Sequence, residues 1–204
     1  MTTAVLRGPY KRGIERRRLV VATATEVFGQ NGFRGGTLQQ VADRVGGTPA
    51  AVLKLFGTKE KLLIAVLEHW GAETAEIVLQ GTVENAYLDG LNRLMSYHVA
   101  HKGLLQLYTT MAAEASSAQH PAHQFMTHRY RNTLEQMRHR FRLASEAGHL
   151  QRMSEEDIAH EAECLLAVLD GLEIQFLLNP AFDLERSFAA YVDKVLGRLR
   201  PLSS

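Results

Sequence analysis

The chain has 204 residues, a hydrophobic fraction of 46% and a formal net charge of +1, as expected of a globular protein with an ordinary core. No apolar run approaches the roughly 18 residues that span a bilayer, and no apolar segment follows the basic N-terminal residues, so neither a membrane span nor a signal peptide is predicted. The single cysteine, Cys164, cannot form an internal disulfide, which suits a reducing compartment. We therefore expect a cytoplasmic protein.

Positive charge is concentrated at the N-terminal end. Residues 1–62 contain 11 Lys/Arg and 4 Asp/Glu, whereas the remaining residues contain 12 and 18. This asymmetry predicts that one end of the protein meets a polyanion, although a solvated run of charge has the same composition. Residues 1–13 are predicted to be a flexible basic arm that follows a nucleic-acid backbone or enters a minor groove, or else a disordered tail that aids solubility.

Apolar residues recur at three- and four-residue intervals along most of the chain, without a sustained alternation typical of strands. The five prolines fall where a helix can begin or has ended, so the sequence predicts an all-α fold. The predicted helices cover residues 14–30, 37–45, 48–55, 58–80, 84–101, 103–117, 121–147, 154–178 and 183–199.

The stretch TLQQVADRVGGTPAAVLKLF, residues 37–56, predicts two short helices separated by a glycine turn. Thr37 begins a capping box for the first helix, and the glycines at 46–47 allow the left-handed backbone that ends it. Thr48 caps the second helix, and Pro49 fills the first helical position, where its missing N–H costs nothing. Two short helices joined in this way indicate a helix-turn-helix.

Four ordered fragments between Val20 and Leu63 carry a wider resemblance: VVATATEVFGQNGF, TLQQVADRVGG, TPAAVLKLF and TKEKLL. They resemble the N-terminal domain of the tetracycline-repressor (TetR/AcrR) family of bacterial transcription regulators. A later fragment, LDGLEIQFLLNPAFD, resembles the penultimate helix of many members. The resemblance implies a three-helix helix-turn-helix domain over residues 14–60. A long helix then joins it to a C-terminal helical bundle over residues 61–204, for ligand binding and dimerisation.

In function, the resemblance implies a ligand-responsive transcription regulator. We expect a repressor that binds a palindromic operator in double-stranded DNA as a homodimer and is released by a small-molecule effector. No catalytic motif is present, so we expect no enzyme activity, no catalytic residues and no cofactor. The alternative is a helical small-molecule or metal-binding protein, or a rare enzyme, that retains a degenerate DNA-binding module.

The family pattern also assigns DNA contacts residue by residue. Matches to phosphate-contacting positions are Thr37, Thr48, Lys54 and Lys59, and matches to base-facing positions are Gln39, Pro49, Ala51 and Leu55. Helix N-termini and ammonium groups suit phosphates, whereas only Gln39 of the second group can make a bidentate base contact. The chain departs from the family by having Gly47 in place of the usual valine and by lacking a tyrosine before Phe56, so we expect a different base preference.

A ligand cavity is predicted between helices 84–101, 103–117, 121–147 and 154–178. Its candidate residues are Met95, His98, Tyr108, Met111, Phe125, Arg129, Thr133, Met137 and Asp170. Residues of these types more often belong to plain core or surface. Arg129 would suit an anionic compound.

Apolar stripes on the last two helices predict a dimer interface, because two such hairpins would close a four-helix bundle. The candidate residues are Leu165, Leu169, Leu172, Phe176, Phe188, Val192, Val195 and Leu199. Alternatively, the same stripes face the core of their own domain. The histidine segments HVAH and HPAHQFMTH raise a metal hypothesis, but we expect solvated or capping roles and no metal site, because a matching set of carboxylate or thiolate ligands is missing.

Overall fold

A computed structural model of the chain describes residues 8–79 and 86–201, in which there are nine helices and no strand. The helices are α1 (Gly8–Gly35), α2 (Leu38–Arg44), α3 (Pro49–Phe56), α4 (Lys59–Leu79), α5 (Ala86–Ala100), α6 (Lys102–Glu114), α7 (His123–Glu146), α8 (Glu155–Leu178) and α9 (Leu184–Leu199). The predicted all-α fold is therefore confirmed. None of the described helices is long and apolar enough to cross a membrane.

The first helix starts earlier than the sequence predicted. α1 begins at Gly8 rather than at residue 14, and Pro9 is compatible with this start because a first-turn residue needs no N–H partner. Residues 8–13, expected in the basic arm, are thus helical, whereas residues 1–7 of that arm lie outside the described part of the chain. α1 is interrupted at Gly32 (φ 68°, ψ 172°), a backbone conformation that favours glycine.

Two apolar clusters organise the molecule. The N-terminal cluster joins α1, α2, α3 and the first half of α4 to parts of α6 and α7, with Phe28, Val41 and Val52 among its buried members. The C-terminal cluster joins α5 to α9 around residues such as Met95 and Phe188. Because α4 contributes to both clusters, it links the helix-turn-helix to the C-terminal helices.

A close crossing of α1 and α6 also connects the two parts. A Cβ placed on Gly103 would lie 2.2 Å from the carbonyl oxygen of Gly29, so only glycine allows this approach. Farther along the chain, a capping box of Ser154 and Asp157 begins α8.

Candidate DNA-binding surface and ligand cavity

The predicted helix-turn-helix is built by the caps that the sequence indicated. The amide of Gln40 donates to Thr37 Oγ1 at 3.1 Å, and the Gln40 side chain accepts from the Thr37 amide at 2.8 Å. Thr48 Oγ1 accepts from the amide of Ala51 at 3.2 Å. Between the two helices Gly46 has φ 63°, the left-handed conformation expected for the turn.

The predicted DNA-contact residues lie on the outer sides of these helices. α3 buries Val52 and Phe56 and turns Leu53 and Leu55 outwards, with 39% and 37% of their surfaces exposed. The eight predicted residues divide into six exposed ones (Thr37, Gln39, Thr48, Ala51, Lys54, Leu55) and two half-buried ones (Pro49, Lys59). The N-terminal end of α3 is therefore free to meet a groove.

Two of the predicted residues already have partners within the chain. The Gln39 amide donates to Asp43 Oδ1 at 2.6 Å. Lys59 Nζ lies 4.6 Å from the centre of the Phe33 ring and 3.5 Å from the carbonyl oxygen of Arg34. Lys59 thus ties the start of α4 to the end of α1, a structural role that its sequence position did not reveal.

Two arginines of α1 hold the helix-turn-helix against that helix. Arg16 Nη1 donates to the Val45 carbonyl oxygen at 2.8 Å, and the Arg17 guanidinium lies 4.3 Å from the centre of the Phe56 ring. The sequence identified this region only as basic. The one local signal of this packing was Gly47, because Arg16 lies where a side chain at position 47 would be.

A cavity of about 340 Å³ lies between α4, α5, α6, α7 and α8. Seven of the nine predicted ligand residues line it: His98, Tyr108, Phe125, Arg129, Thr133, Met137 and Asp170. Met95 and Met111 do not, which corrects that part of the prediction: both side chains are buried in the apolar clusters, 0% and 2% exposed. Their side chains pack in these clusters and are not among the residues that line the cavity.

The contribution of α4 to this cavity was not predicted from the sequence. The lining residues from α4 are Glu68, Trp70, Gly71, Thr74, Ala75 and Val78. Trp70 stands out because its ring packs against both His98, at 5.3 Å, and Tyr108, at 5.1 Å between centroids. The position of Trp70 on the apolar stripe of α4 indicated that the side chain is buried, but not that it lines a cavity.

A buried polar pair forms part of the cavity wall. His98 Nδ1 and Glu173 Oε1 are 2.7 Å apart, and the two residues are 5% and 1% exposed. The expectation of a solvated or capping role is therefore wrong for His98, because a carboxylate from α8 compensates its burial. Among the described residues, no group of three or more His, Cys, Asp or Glu side chains could hold a metal ion.

Charged groups from α7 and α8 also reach the cavity. Arg129 donates to Thr74 Oγ1 at 3.2 Å and, at 3.4 Å each, to the Gly71 carbonyl oxygen and the Tyr108 hydroxyl. The hydroxyl of Tyr130 donates to Asp170 Oδ2 at 2.8 Å. Burial is the main reason that the pKa of Asp170 rises to about 6, and the nearby Glu173 carboxylate adds to the shift.

The predicted dimer residues need a correction. Leu165, Leu169, Phe176, Phe188, Val192, Val195 and Leu199 are all 9% exposed or less within a single chain, and the half-buried Leu172 packs against the same cluster. Their stripes therefore face the core of their own domain, and Leu169 also lines the cavity. The exposed apolar residues at the end of α8 are Ile174, 48% exposed, and Leu178, 80% exposed.

Comparisons with known proteins agree with this architecture. Residues 20–66 match the family described as bacterial regulatory proteins, tetR family. The chain is 30% identical over 96 residues to the HTH-type transcriptional repressor NicS of Pseudomonas putida, and 26% identical over 89 residues to the HTH-type transcriptional repressor AcnR of Corynebacterium diphtheriae. Each match spans 45% of the relative's own length, so the chain spans less than half of the curated relatives that it matches.

Solved structures extend the likeness over the whole fold. A TetR transcription regulator from Haloarcula marismortui superposes with a TM-score of 0.79 at 15% identity, covering 91% of this chain and 98% of that one. At this identity the match concerns the fold alone, a helix-turn-helix followed by a helical bundle. The sequence match to the tetR family of bacterial regulatory proteins covers residues 20–66, and the likeness to this solved structure extends the shared fold over most of the chain.

Proposed function

We propose that this protein is a ligand-responsive, DNA-binding transcription repressor that binds a palindromic operator as a homodimer. The observation that carries the proposal is the capped, outward-facing α3 with its exposed Lys54, held in place by the arginines of α1. The family that residues 20–66 match is one of bacterial regulatory proteins, and the sequence contains no catalytic motif.

DNA recognition would use the eight residues described above. The amides at the start of α2 and α3, with Thr37, Thr48 and the ammonium group of Lys54, suit phosphate oxygens. Gln39 supplies the bidentate amide for a base edge, preferably that of adenine. Leu55, 37% exposed, suits a thymine methyl group.

A dimer would place two such modules in successive major grooves, about 34–36 Å apart. The exposed end of α8, with Ile174 and Leu178, is the apolar surface that we assign to the partner subunit. Large exposed apolar patches commonly mark such contacts, and burying this one in a four-helix bundle would leave the cores of both subunits intact.

The cavity supports the ligand-responsive part of the proposal. It lies beside α4, which also packs in the N-terminal cluster through Leu62, Leu63 and Val66. A small molecule that shifts α4 would therefore change the separation of the two DNA-binding modules. Because such coupling is reciprocal, ligand and operator would weaken each other's binding.

Selection of DNA fragments by the full-length protein tests the proposal. Random duplexes are incubated with the protein at low salt, recovered and sequenced over several rounds. Enrichment of an inverted repeat with half-sites one helical turn apart is the expected result. The absence of any enriched sequence at low salt would refute DNA recognition and favour a small-molecule binder with a degenerate helix-turn-helix.

A further inference from the structure

We infer that the effector of the cavity is an organic anion, a carboxylate on a flat apolar body, with the guanidinium of Arg129 as its charge partner. The inference rests on the proposed function, since it names the class of molecule that the cavity would take. It is carried by the cavity's charges, its hydrogen-bond partners and its aromatic wall.

Among the described residues that line the cavity, Arg129 is the arginine with N–H donors left for a ligand. It is half-buried, and among the described residues no carboxylate lies within 4 Å of its guanidinium. Its partners are neutral oxygens of Gly71, Thr74 and Tyr108, at 3.2–3.4 Å. A guanidinium has five N–H donors, so donors remain for a ligand. Arginine commonly binds carboxylates through two parallel hydrogen bonds.

The carboxylates of the cavity do not offer an equivalent site for a cation. Glu173 is already paired with His98 at 2.7 Å, and Glu68 lies at an exposed position. Asp170 already accepts a hydrogen bond from the Tyr130 hydroxyl at 2.8 Å. The Arg129 guanidinium has no carboxylate partner among the described residues, and its charge is therefore the one that most needs a partner.

An aromatic wall and one further polar atom define the rest of the ligand. Trp70 packs against both His98 and Tyr108, and the Arg129 guanidinium lies 5.6 Å from the centre of the Tyr108 ring. A flat apolar body suits the surface made by these rings. Since His98 Nδ1 contacts Glu173, Nε2 is the ring nitrogen without a partner among the described residues, and it is available to a polar substituent of the ligand.

Three naphthalene compounds of equal shape and different charge test the inference: naphthalene-2-carboxylate, naphthalene-2-carboxamide and 2-naphthylmethylammonium. The cavity of about 340 Å³ admits a body of this size. Binding to the full-length protein is measured by isothermal titration calorimetry without DNA. We expect the carboxylate to bind at least about tenfold more tightly than the amide, as a charge-assisted hydrogen bond would give, and the ammonium compound to bind most weakly.

Variants of α7 assign that preference to one residue. Arg129→Gln should remove the advantage of the carboxylate over the amide, and Arg129→Lys should retain part of it. Arg131→Gln serves as the matched control, since Arg131 is an exposed arginine on the same helix that does not line the cavity. If Arg129→Gln does not fold, the three compounds on the unmodified protein still decide the charge of the ligand.

Each outcome has a defined meaning. Equal binding of carboxylate and amide, tighter binding of the ammonium compound, no binding of any compound, or a carboxylate preference that survives Arg129→Gln would overturn the inference. The DNA selection described above is independent of these titrations. If the selection enriches an operator but the titrations show no preference for the anion, only the effector class is refuted. If the anion binds but no operator is enriched, only the DNA-binding function is refuted.

Discussion

The guanidinium of Arg16 occupies the space that a side chain at Gly47 would need. A Cβ at position 47 would lie 2.6 Å from Arg16 Nη2, while Nη1 donates to the Val45 carbonyl oxygen at 2.8 Å. The preceding residue, Gly46, has open space around its Cβ position but φ 63°. Glycine is thus favoured at two adjacent positions for different reasons, at the first by its backbone conformation and at the second by its neighbour.

This difference predicts distinct effects of alanine at the two positions. Gly46→Ala should lower the free energy of unfolding by about 1–2 kcal/mol, the cost of left-handed backbone for an L-residue. Gly47→Ala should act by displacing Arg16 and should cost about 1 kcal/mol, the worth of the lost hydrogen bond. The cost of Gly47→Ala should disappear in an Arg16→Ala background, whereas the cost of Gly46→Ala should remain.

Urea unfolding of the single and double variants measures these differences. Arg18→Ala is the control, because Arg18 is exposed on the same helix and a surface substitution of this kind should change stability by less than about 0.5 kcal/mol. If Gly47→Ala lowers the free energy of unfolding equally with and without Arg16, the contact with Arg16 does not explain why glycine occupies position 47.

Lys54 should contribute affinity that is independent of DNA sequence. Its side chain is exposed in the last turn of α3, where it suits a phosphate. Lys54→Gln should weaken binding to the selected operator and to unrelated duplexes alike, and should reduce the slope of log K against log salt by about 0.9 per subunit contact. Fluorescence anisotropy over a salt series measures the slope. Lys194→Gln, an exposed lysine on α9, should leave it unchanged.

Gln39 should instead contribute sequence discrimination. Gln39→Ala should relax the preference at one base pair in each half-site, at a cost of about 1–3 kcal/mol for the preferred base. The Gln39 amide now donates to Asp43, a bond that must rearrange for the amide to reach a base. Competition binding with operators mutated at each position identifies the affected base pair. A uniform loss at all positions would indicate a phosphate contact or a structural role.

The helix-turn-helix could be predicted from the sequence because its signals are local. Thr37, Gly46 and Thr48 determine the ends of α2 and α3 through bonds to residues only a few positions away. The cavity was predicted less completely. Helical periodicity indicated that Arg129 and Asp170 face inwards, but it could not show that one side of α4 borders the same cavity, because that depends on how distant helices pack.

The dimer surface shows a second limit of the sequence. An apolar stripe such as that of Leu165 and Leu169 has the same spacing whether it faces its own core or a partner. The structure assigns these residues to the core and leaves Ile174 and Leu178 exposed. Sequence periodicity alone could not show which apolar residues of this helix are exposed and which are buried, because the two kinds lie so close together.

Asp170 should make stability depend on pH. Burial raises its pKa to about 6 from an ordinary 3.8, so the folded state binds more protons than the unfolded state between these values. Stability from this group is therefore lost as the pH rises through that window. Asp170→Asn should remove the penalty and raise the free energy of unfolding by about 3 kcal/mol at pH 7.5, but by little at pH 4.

Urea unfolding at the two pH values tests this sign. Asn can still accept from the Tyr130 hydroxyl, so the variant isolates the charge. Asp193→Asn, at an exposed position on α9, controls for the general loss of a carboxylate. A gain in stability of equal size at both pH values, or a loss at pH 7.5, would contradict the assignment.

Leu178 should be central to the proposed dimer. It is 80% exposed at the end of α8, and Ile174, one turn earlier, is 48% exposed. Burying such side chains against a second copy stabilises association by about 1.5–3 kcal/mol for each fully buried one, whereas a carboxylate there would be desolvated without a partner. Leu178→Glu should therefore shift the protein from dimer to monomer at micromolar concentration without lowering monomer stability, as measured by size-exclusion chromatography with light scattering.

Leu143 is an exposed leucine of α7 and provides the control, since the Leu143→Glu variant should remain a dimer. A monomeric unmodified protein, or a Leu178→Glu variant that stays dimeric, would exclude this surface as the interface.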